Sequence, residues 1–309
     1  MVRKNFRFVP APADAGMRLD QFVPARTEEL SRTLLRKIVD LGGVHVGGRR
    51  VRRCSLQVKA GEVVEVYLDG LPLAPYVLTQ EDIVWQDKYL LAVAKPAGVE
   101  SQPTPARYRG TLYEALLNYL KNPFRPLDIP ELGMVQRLDR ETSGIMIFSI
   151  HPRAHRQLTQ IISGREAEKT YLAIVSGTPA EKEGEMRSML ARNRATNRVR
   201  SVCKGGKEAI TRYRVSAEFA DASLVEVNIL TGRSHQIRAH FSEAGHPLLG
   251  DERYDGPRDR GGRRIHRQML HSWRLMLPHP VTGDMLSLES PLPADMAELL
   301  AALEKQPGS

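Results

Sequence analysis

From Ser31 to Gly43 the apolar residues Leu34, Leu35, Ile38 and Leu41 recur at helical spacing, while Arg32, Arg36 and Lys37 fall on the other side. This pattern predicts an amphipathic helix with Ser31 as N-cap and Gly42-Gly43 as its stop. Two short strands are expected next, around Val44 to Val46 and Glu62 to Tyr67, joined through the arginine-rich turn GGRRVRR. The Pro- and Gly-containing DGLPLAP, Asp69 to Pro75, reads as a linker. Beyond it a hairpin is predicted from Ile83 to Trp85 and Leu90 to Ala94, and Thr111 with Glu114 forms a capping box for the helix TLYEALLNYLK. Strands are expected over Met134 to Leu138 and Ile145 to Ile150, flanking QRLDRETSG, with the helix PRAHRQLTQIISG after them. Strands then dominate (TYLAIV, ITRYRVSAEF, SLVEVNIL, QMLHSWRLML and MLSLES), interrupted by one helix, RSHQIRAHFSEAG. Strand following strand, with few alternating helices, points to an α+β fold with a largely antiparallel sheet.

A chain of 309 residues accommodates two ordinary domains, and 26% charged against 41% hydrophobic residues is a globular balance. The net charge of +9 favours a polyanionic partner, nucleic acid ahead of an anionic membrane. The basic start MVRKNFRFVPAPADAG has no apolar run behind it, and no segment approaches a membrane span. Cys54 and Cys203 are too few for a disulfide framework or a zinc site, so a reducing cytoplasm is the expected compartment. Two strongly basic segments, Arg187 to Lys207 and Arg253 to Arg267, are expected as mobile loops able to close on phosphates.

Among candidate chemistry, QRLDRETSG stands out because Asp139 lies between Arg137 and Arg140 at a tight connection between expected strands. Guanidinium neighbours keep a carboxylate ionised, which suits a nucleophile or charge stabiliser; a surface ion pair is the plainer alternative. Other chemistries lack their signatures. There is no GxxxxGK[ST], GxGxxG after a strand, GxSxG or HExxH, so neither metal nor cofactor is expected.

Taken together, RLDQF, SRTLLRKIVDLGGVHVGG and KAGEVVEV resemble the S4 RNA-binding module. In that reading Arg18, Arg32, Arg36, Lys37, Arg49 and Arg50 form a phosphate-facing patch; a solvated charged helix face is the alternative. KPAGVESQP, QRLDRETSG, EKTYLAIV and TGRSHQIRAHFSEAGHPLLGDERY, followed by LHSWRLMLPHP, resemble in that order the motifs of the RluA-type RNA pseudouridine synthases. The resemblance implies an isomerase that needs no cofactor or metal, with Asp139 as its essential aspartate and Arg238 as the basic residue paired with it. It further implies Tyr171 as a ring for stacking on the extruded uracil, and Arg137 as the side chain entering the space the flipped uridine leaves. The implied partner is RNA, ribosomal ahead of transfer RNA, and a monomer away from membranes suffices. Gln136 departs from the histidine usual there, which bears on packing or RNA contacts more than on catalysis. The expected organisation is a basic arm (1–16), an S4-like domain (17–69), a linker (70–79) and a pseudouridine synthase domain (80–309). A non-catalytic RNA-binding scaffold and a nucleosidase releasing free uracil are the competing functions.

Overall fold

The computed structural model describes residues 3–164, 166–193, 196, 198–260 and 262–305, and the chain divides into two units, 1–78 with 98–130 and 79–97 with 131–309. The first unit is built from β1 (Lys4–Phe8), α1 (Leu19–Phe22), α2 (Arg32–Leu41), β2 (Val44–Val46), β3 (Arg49–Arg50), β4 (Val64–Leu68) and α3 (Leu112–Tyr119). Its sheet runs β1-β4-β2-β3. Helix α2 starts and stops where the sequence places it: the Ser31 hydroxyl accepts from the Leu34 N–H, and Gly42 closes the helix at φ +90. Its buried Leu35, Ile38 and Val39 pack with Phe22, Val44, Val64 and Val66 into one core.

Residues 4–8 are not a free arm, because β1 pairs antiparallel with β4 from Lys4↔Leu68 to Phe8↔Val64. Residues 98–130, expected in the second domain, belong to this unit instead. The Leu41 carbonyl at the end of α2 accepts from the Tyr108 and Arg109 N–H groups at 2.7 and 3.1 Å. The buried Arg107 donates to both Asp69 carboxylate oxygens and to the Pro72 carbonyl. Polar groups around a helix C-terminus are thus satisfied by a segment distant in sequence, a pairing that periodicity does not reveal.

The second unit comprises β5 (Ile83–Gln86), β6 (Leu90–Lys95), β7 (Gly133–Met134), β8 (Ser143–Ser149), α4 (Pro152–Ser163), β9 (Glu168–Ser176), β10 (Glu183–Arg192), β11 (Val199–Ser201), β12 (Lys207–Glu218), β13 (Ala222–Ile229), α5 (Gln236–Glu243), β14 (Asp259–Arg260), β15 (Arg263–Arg264), β16 (Leu270–Pro278), β17 (Met285–Glu289) and α6 (Ala294–Glu304). One mixed sheet runs β11-β10-β12-β13-β9-β16-β8-β6-β5, with β17 on β16 and β7 on β8. Its pairings are antiparallel apart from β16 with β8. Helix α4 packs Leu158 and Ile161 against Ala92, Ile145 and Ile147. Helix α6 packs Met296 and Leu299 against Leu172 and Ile174. The expected α+β fold with a largely antiparallel sheet is present.

Three local expectations are corrected. The strand expected over Met134 to Leu138 ends at Met134, because β7 and β16 share one edge of β8 and β16 holds its Ser143–Gly144 end. Arg187 to Lys207 is largely sheet rather than open loop: Leu190 to Arg192 pair with Val199 to Ser201, and Arg187 to Leu190 pair with Lys207 to Ile210; Arg194, Ala195 and Asn197 lie outside the described residues. In Arg253 to Arg267, Gly261 also lies outside them, while β14 pairs β15, Arg263 pairs Glu298 and the buried Arg267 grips Asp295. Carboxylates elsewhere in the chain claim these arginines.

Candidate active site

The turn after β7 is held from behind. Lys95, 1% exposed, donates to the carbonyls of Pro96 and Arg140 at 2.8 and 2.9 Å, and Arg267 donates to the Glu141 carbonyl at 3.0 Å. The Thr142 N–H closes the turn on the Asp139 carbonyl. Beyond it Gly144, at φ +115, lets β8 approach β16 so closely that a Cβ there would lie 2.2 Å from the Ser272 carbonyl oxygen. These contacts fix the Asp139 backbone while its side chain stays 29% exposed.

Arg238, on α5, reaches Asp139 Oδ2 through Nη1 at 2.7 Å. Its Nε and Nη2 grip Asp251, which is 1% exposed, at 2.6 and 2.8 Å. One rigid guanidinium thus bridges two carboxylates with donors on separate edges. Asp139 Oδ1 has no hydrogen-bond partner among the described residues. His235, just before α5, takes a left-handed backbone at φ 52 and places Nε2 3.7 Å from Asp139 Oδ2. Its Nδ1 lies 3.0 Å from the Tyr254 hydroxyl, whose oxygen also accepts from the Val199 N–H.

Burial works against the charge of Asp139, but His235, Arg238 and Arg253 outweigh it and hold the carboxyl below its ordinary value. Burial and the neighbouring arginines bring His235 to about 4 despite the pull of Asp139, so at neutral pH the guanidiniums supply the stabilising charge. Arg238 is itself raised: burial opposes its charge, and Asp251 and Asp139 more than offset that.

Tyr171 lies on β9 and is 8% exposed, its backbone in register with Ser272 of β16. Burial pushes its phenol up to about 12, with Ser272 pulling down and the Asp139 charge adding to the rise. It is a neutral hydrogen-bond donor at physiological pH rather than a base. Arg137 is exposed and donates to the Ser234 hydroxyl at 3.1 Å. The buried Gln136 Nε2 has no hydrogen-bond partner among the described residues.

The second unit therefore brings Asp139 and Arg238 into contact, with Tyr171 within electrostatic reach and Arg137 at the neighbouring Ser234. Asp251, His235, Tyr254 and Lys95 complete the setting. The first three lie in the motif from Thr231 to Tyr254, yet only geometry separates them from its other polar residues.

In the first unit Arg18 and Arg36 converge on the buried Asp20, and Arg32 donates to the Asp20 carbonyl. The Arg18 and Arg36 side chains remain 46% and 61% exposed. Lys37 and Arg49 are exposed, and Arg50 donates to the Thr104 carbonyl. Among the described residues no cluster of His, Cys, Asp and Glu has metal-binding geometry, and no helix is long and apolar enough to cross a membrane.

Residues 89–243 match the family model described as RNA pseudouridylate synthase, and residues 17–64 match the S4 domain. The chain is 33% identical to a protein of Nitrosomonas europaea named ribosomal large subunit pseudouridine synthase D, over 96% of this chain and 87% of that one. It is 32% identical to a Haemophilus ducreyi protein of the same name, over 94% and 91% of the respective chains. The solved structure of human RNA pseudouridylate synthase domain containing 4 matches in fold with a TM-score of 0.61 at 24% identity, covering 72% of this chain and 92% of that one.

Proposed function

Because the chain belongs to the RNA pseudouridylate synthase family, of RluA type with an S4 domain, we propose that it isomerises uridine in ribosomal RNA through Asp139 and without a cofactor. One observation carries the site assignment: the only hydrogen bond on the Asp139 carboxylate among the described residues comes from Arg238, itself anchored on Asp251, so one oxygen stays available. The ribosomal assignment follows the names of the relatives, and transfer RNA is its alternative. The work is that of a monomer in a reducing cytoplasm.

The reaction breaks the C1′–N1 bond, turns the uracil, joins C5 to C1′ and releases the C5 proton, while N1 regains one. The sugar becomes electron-poor as the bond breaks. The ionised Asp139 meets that demand by attacking C1′ or by taking the C2′ proton to give a glycal, and both routes stay open. Arg238 keeps the carboxylate charged and aimed. The Tyr171 ring offers the detached base a stacking face, and its hydroxyl helps the proton released at C5 to move away. Arg137, on the exposed side of the turn, fills the space left when the uridine flips out, a step required because a stacked nucleotide hides its glycosidic bond. The Arg18, Arg32, Arg36, Lys37, Arg49 and Arg50 patch holds RNA phosphates.

Tritium release from ribosomal and transfer RNA transcripts labelled at uridine C5 tests this reading. The wild type is expected to release tritium from ribosomal RNA without freeing uracil, and Asp139→Asn to release none. Release by Asp139→Asn at the wild-type rate refutes the site, and free uracil makes the protein a nucleosidase.

A further inference from the structure

Within the first unit, the end of α2, Arg50 and Arg52, residues 75–78 and parts of 108–130 line an open groove of about 940 Å³. Its wall carries two guanidinium groups on one ring: Arg50 and Arg52 lie 5.7 and 5.8 Å from the centroid of Tyr108. The backbone that carries the ring is held. The Tyr108 N–H is bound by Leu41, and Gly42, at φ +90, leaves it room because a Cβ there would come 3.1 Å from Tyr108 Cβ.

Neither Arg50 nor Arg52 makes an ion pair among the described residues. The acids in the groove are engaged elsewhere. Asp40 pairs with Arg109, Glu114 accepts from the Gly110 N–H and Asn118, and Asp128 faces Arg125. Burial and the charge of Arg52 both lower the pKa of Arg50, so the convergence costs free energy until an anion arrives. Further along the groove are the half-buried Tyr119, the exposed Lys121, and Leu127 and Ile129, which are 94% and 86% exposed. Cations alternating with aromatic and apolar surface match a chain of phosphates carrying open base faces, whereas a duplex conceals those faces.

We propose that this groove holds a single-stranded stretch of the substrate RNA, with a phosphate between Arg50 and Arg52 and bases against Tyr108 and Tyr119. The proposal rests on the reading that the protein acts on RNA, and it adds an RNA-binding surface beyond the exposed face of α2.

The test is fluorescence anisotropy with the full-length protein and a labelled single-stranded RNA dodecamer of mixed A and U, beside a hairpin duplex, across a salt series. Tyr108→Ala is expected to weaken dodecamer binding about tenfold, and Tyr108→Phe to preserve it. Arg52→Ala is expected to reduce the slope of log affinity on log salt by about 0.7. Unchanged dodecamer binding by Tyr108→Ala and Arg52→Ala overturns the proposal, as does equal loss on the duplex. Photocrosslinking of wild-type protein to a 4-thiouridine dodecamer needs no variant: crosslinks within residues 75–78 or 108–130 are expected, and crosslinks only elsewhere overturn the groove. Tritium release by the wild type is scored separately. Release with unaltered dodecamer binding in the variants removes the groove alone, whereas lost binding without release supports the groove and removes the synthase reading.

Discussion

Replacing Arg238 by lysine keeps the positive charge and removes the fork. Arginine uses Nη1 for Asp139 and Nε with Nη2 for Asp251, at 2.6 to 2.8 Å. A lysine ammonium is one point and cannot reproduce donors on two edges. The buried Asp251 makes the stronger claim on that ammonium, so the Asp139 bond is the one expected to go. A hydrogen bond to a charged group contributes about 1.5–3 kcal/mol, so kcat/KM for tritium release should fall roughly 10- to 150-fold. The altered grip on Asp251 should cost a similar amount of stability, read as a lower midpoint in urea.

Arg238→Met is harsher, leaving Asp251 buried without its partner at a cost of about 3–5 kcal/mol. The pH profile separates positioning from loss of fold. Burial raises the Asp139 pKa and Arg238 helps to lower it, so the methionine variant should carry a raised pKa. In the proposed reaction the carboxylate acts ionised, so activity should disappear as pH falls through its pKa, and the acid limb of the folded variant should move to higher pH. Wild-type kcat/KM in folded Arg238→Lys, with an unmoved acid limb in Arg238→Met, refutes the bridging argument.

Tyr171→Phe keeps the ring and removes the hydroxyl; kcat should drop while RNA affinity holds, and no basic limb from this phenol should appear below pH 10 in the wild type, whose Tyr171 sits at about 12. Asp20 is brought to about 2, first by its hydrogen bond from Arg18 and also by Arg36, against burial. Its stabilisation is fully present above the ordinary value of 3.8 and is lost as pH falls through about 2. Asp20→Asn should accordingly lower the melting temperature at neutral pH, by an amount equivalent to about 1–3 kcal/mol, and the gap to wild type should close in acid. Gly144→Ala puts a Cβ 2.2 Å from the Ser272 carbonyl oxygen, and a loss above about 3 kcal/mol in urea denaturation is expected; wild-type stability would contradict that packing. Lys95→Met removes the donor to the Pro96 and Arg140 carbonyls, so tritium release should decline at unchanged RNA affinity.

Elements whose boundaries are set by local chemistry were legible in the sequence. Ser31 and Gly42 bracket α2, and Pro152 to Ser163 form α4, because caps and periodicity act within a few residues. Thr111 caps α3 as expected, but Glu114 turns to the Gly110 N–H instead of closing the box on Thr111. Long-range choices were not legible. Whether Val135 to Leu138 could pair depended on β16 reaching the same edge of β8, and whether Arg267 faced solvent depended on Asp295. The motif placed Asp139 and Arg238 among the candidates. The bridge to Asp251 and the His235–Tyr254 contact needed coordinates, because one side chain's partners can be many residues away in sequence.

The return of residues 98–130 to the N-terminal unit bears on how such a chain can be inherited. The family model spans 89–243 and so includes a stretch whose own contacts lie with the S4 module. A deletion removing residues 1–78 would take away the Leu41 carbonyl that Tyr108 and Arg109 bind and the Asp69 carboxylate that holds the buried Arg107. Losing the module at one junction would therefore leave the buried Arg107 and the Tyr108 and Arg109 N–H groups in need of new partners. The Arg107–Asp69 pair is the point where a substitution on one side of that seam asks for one on the other, which ties residue 69 to a segment that sequence comparison assigns to the synthase.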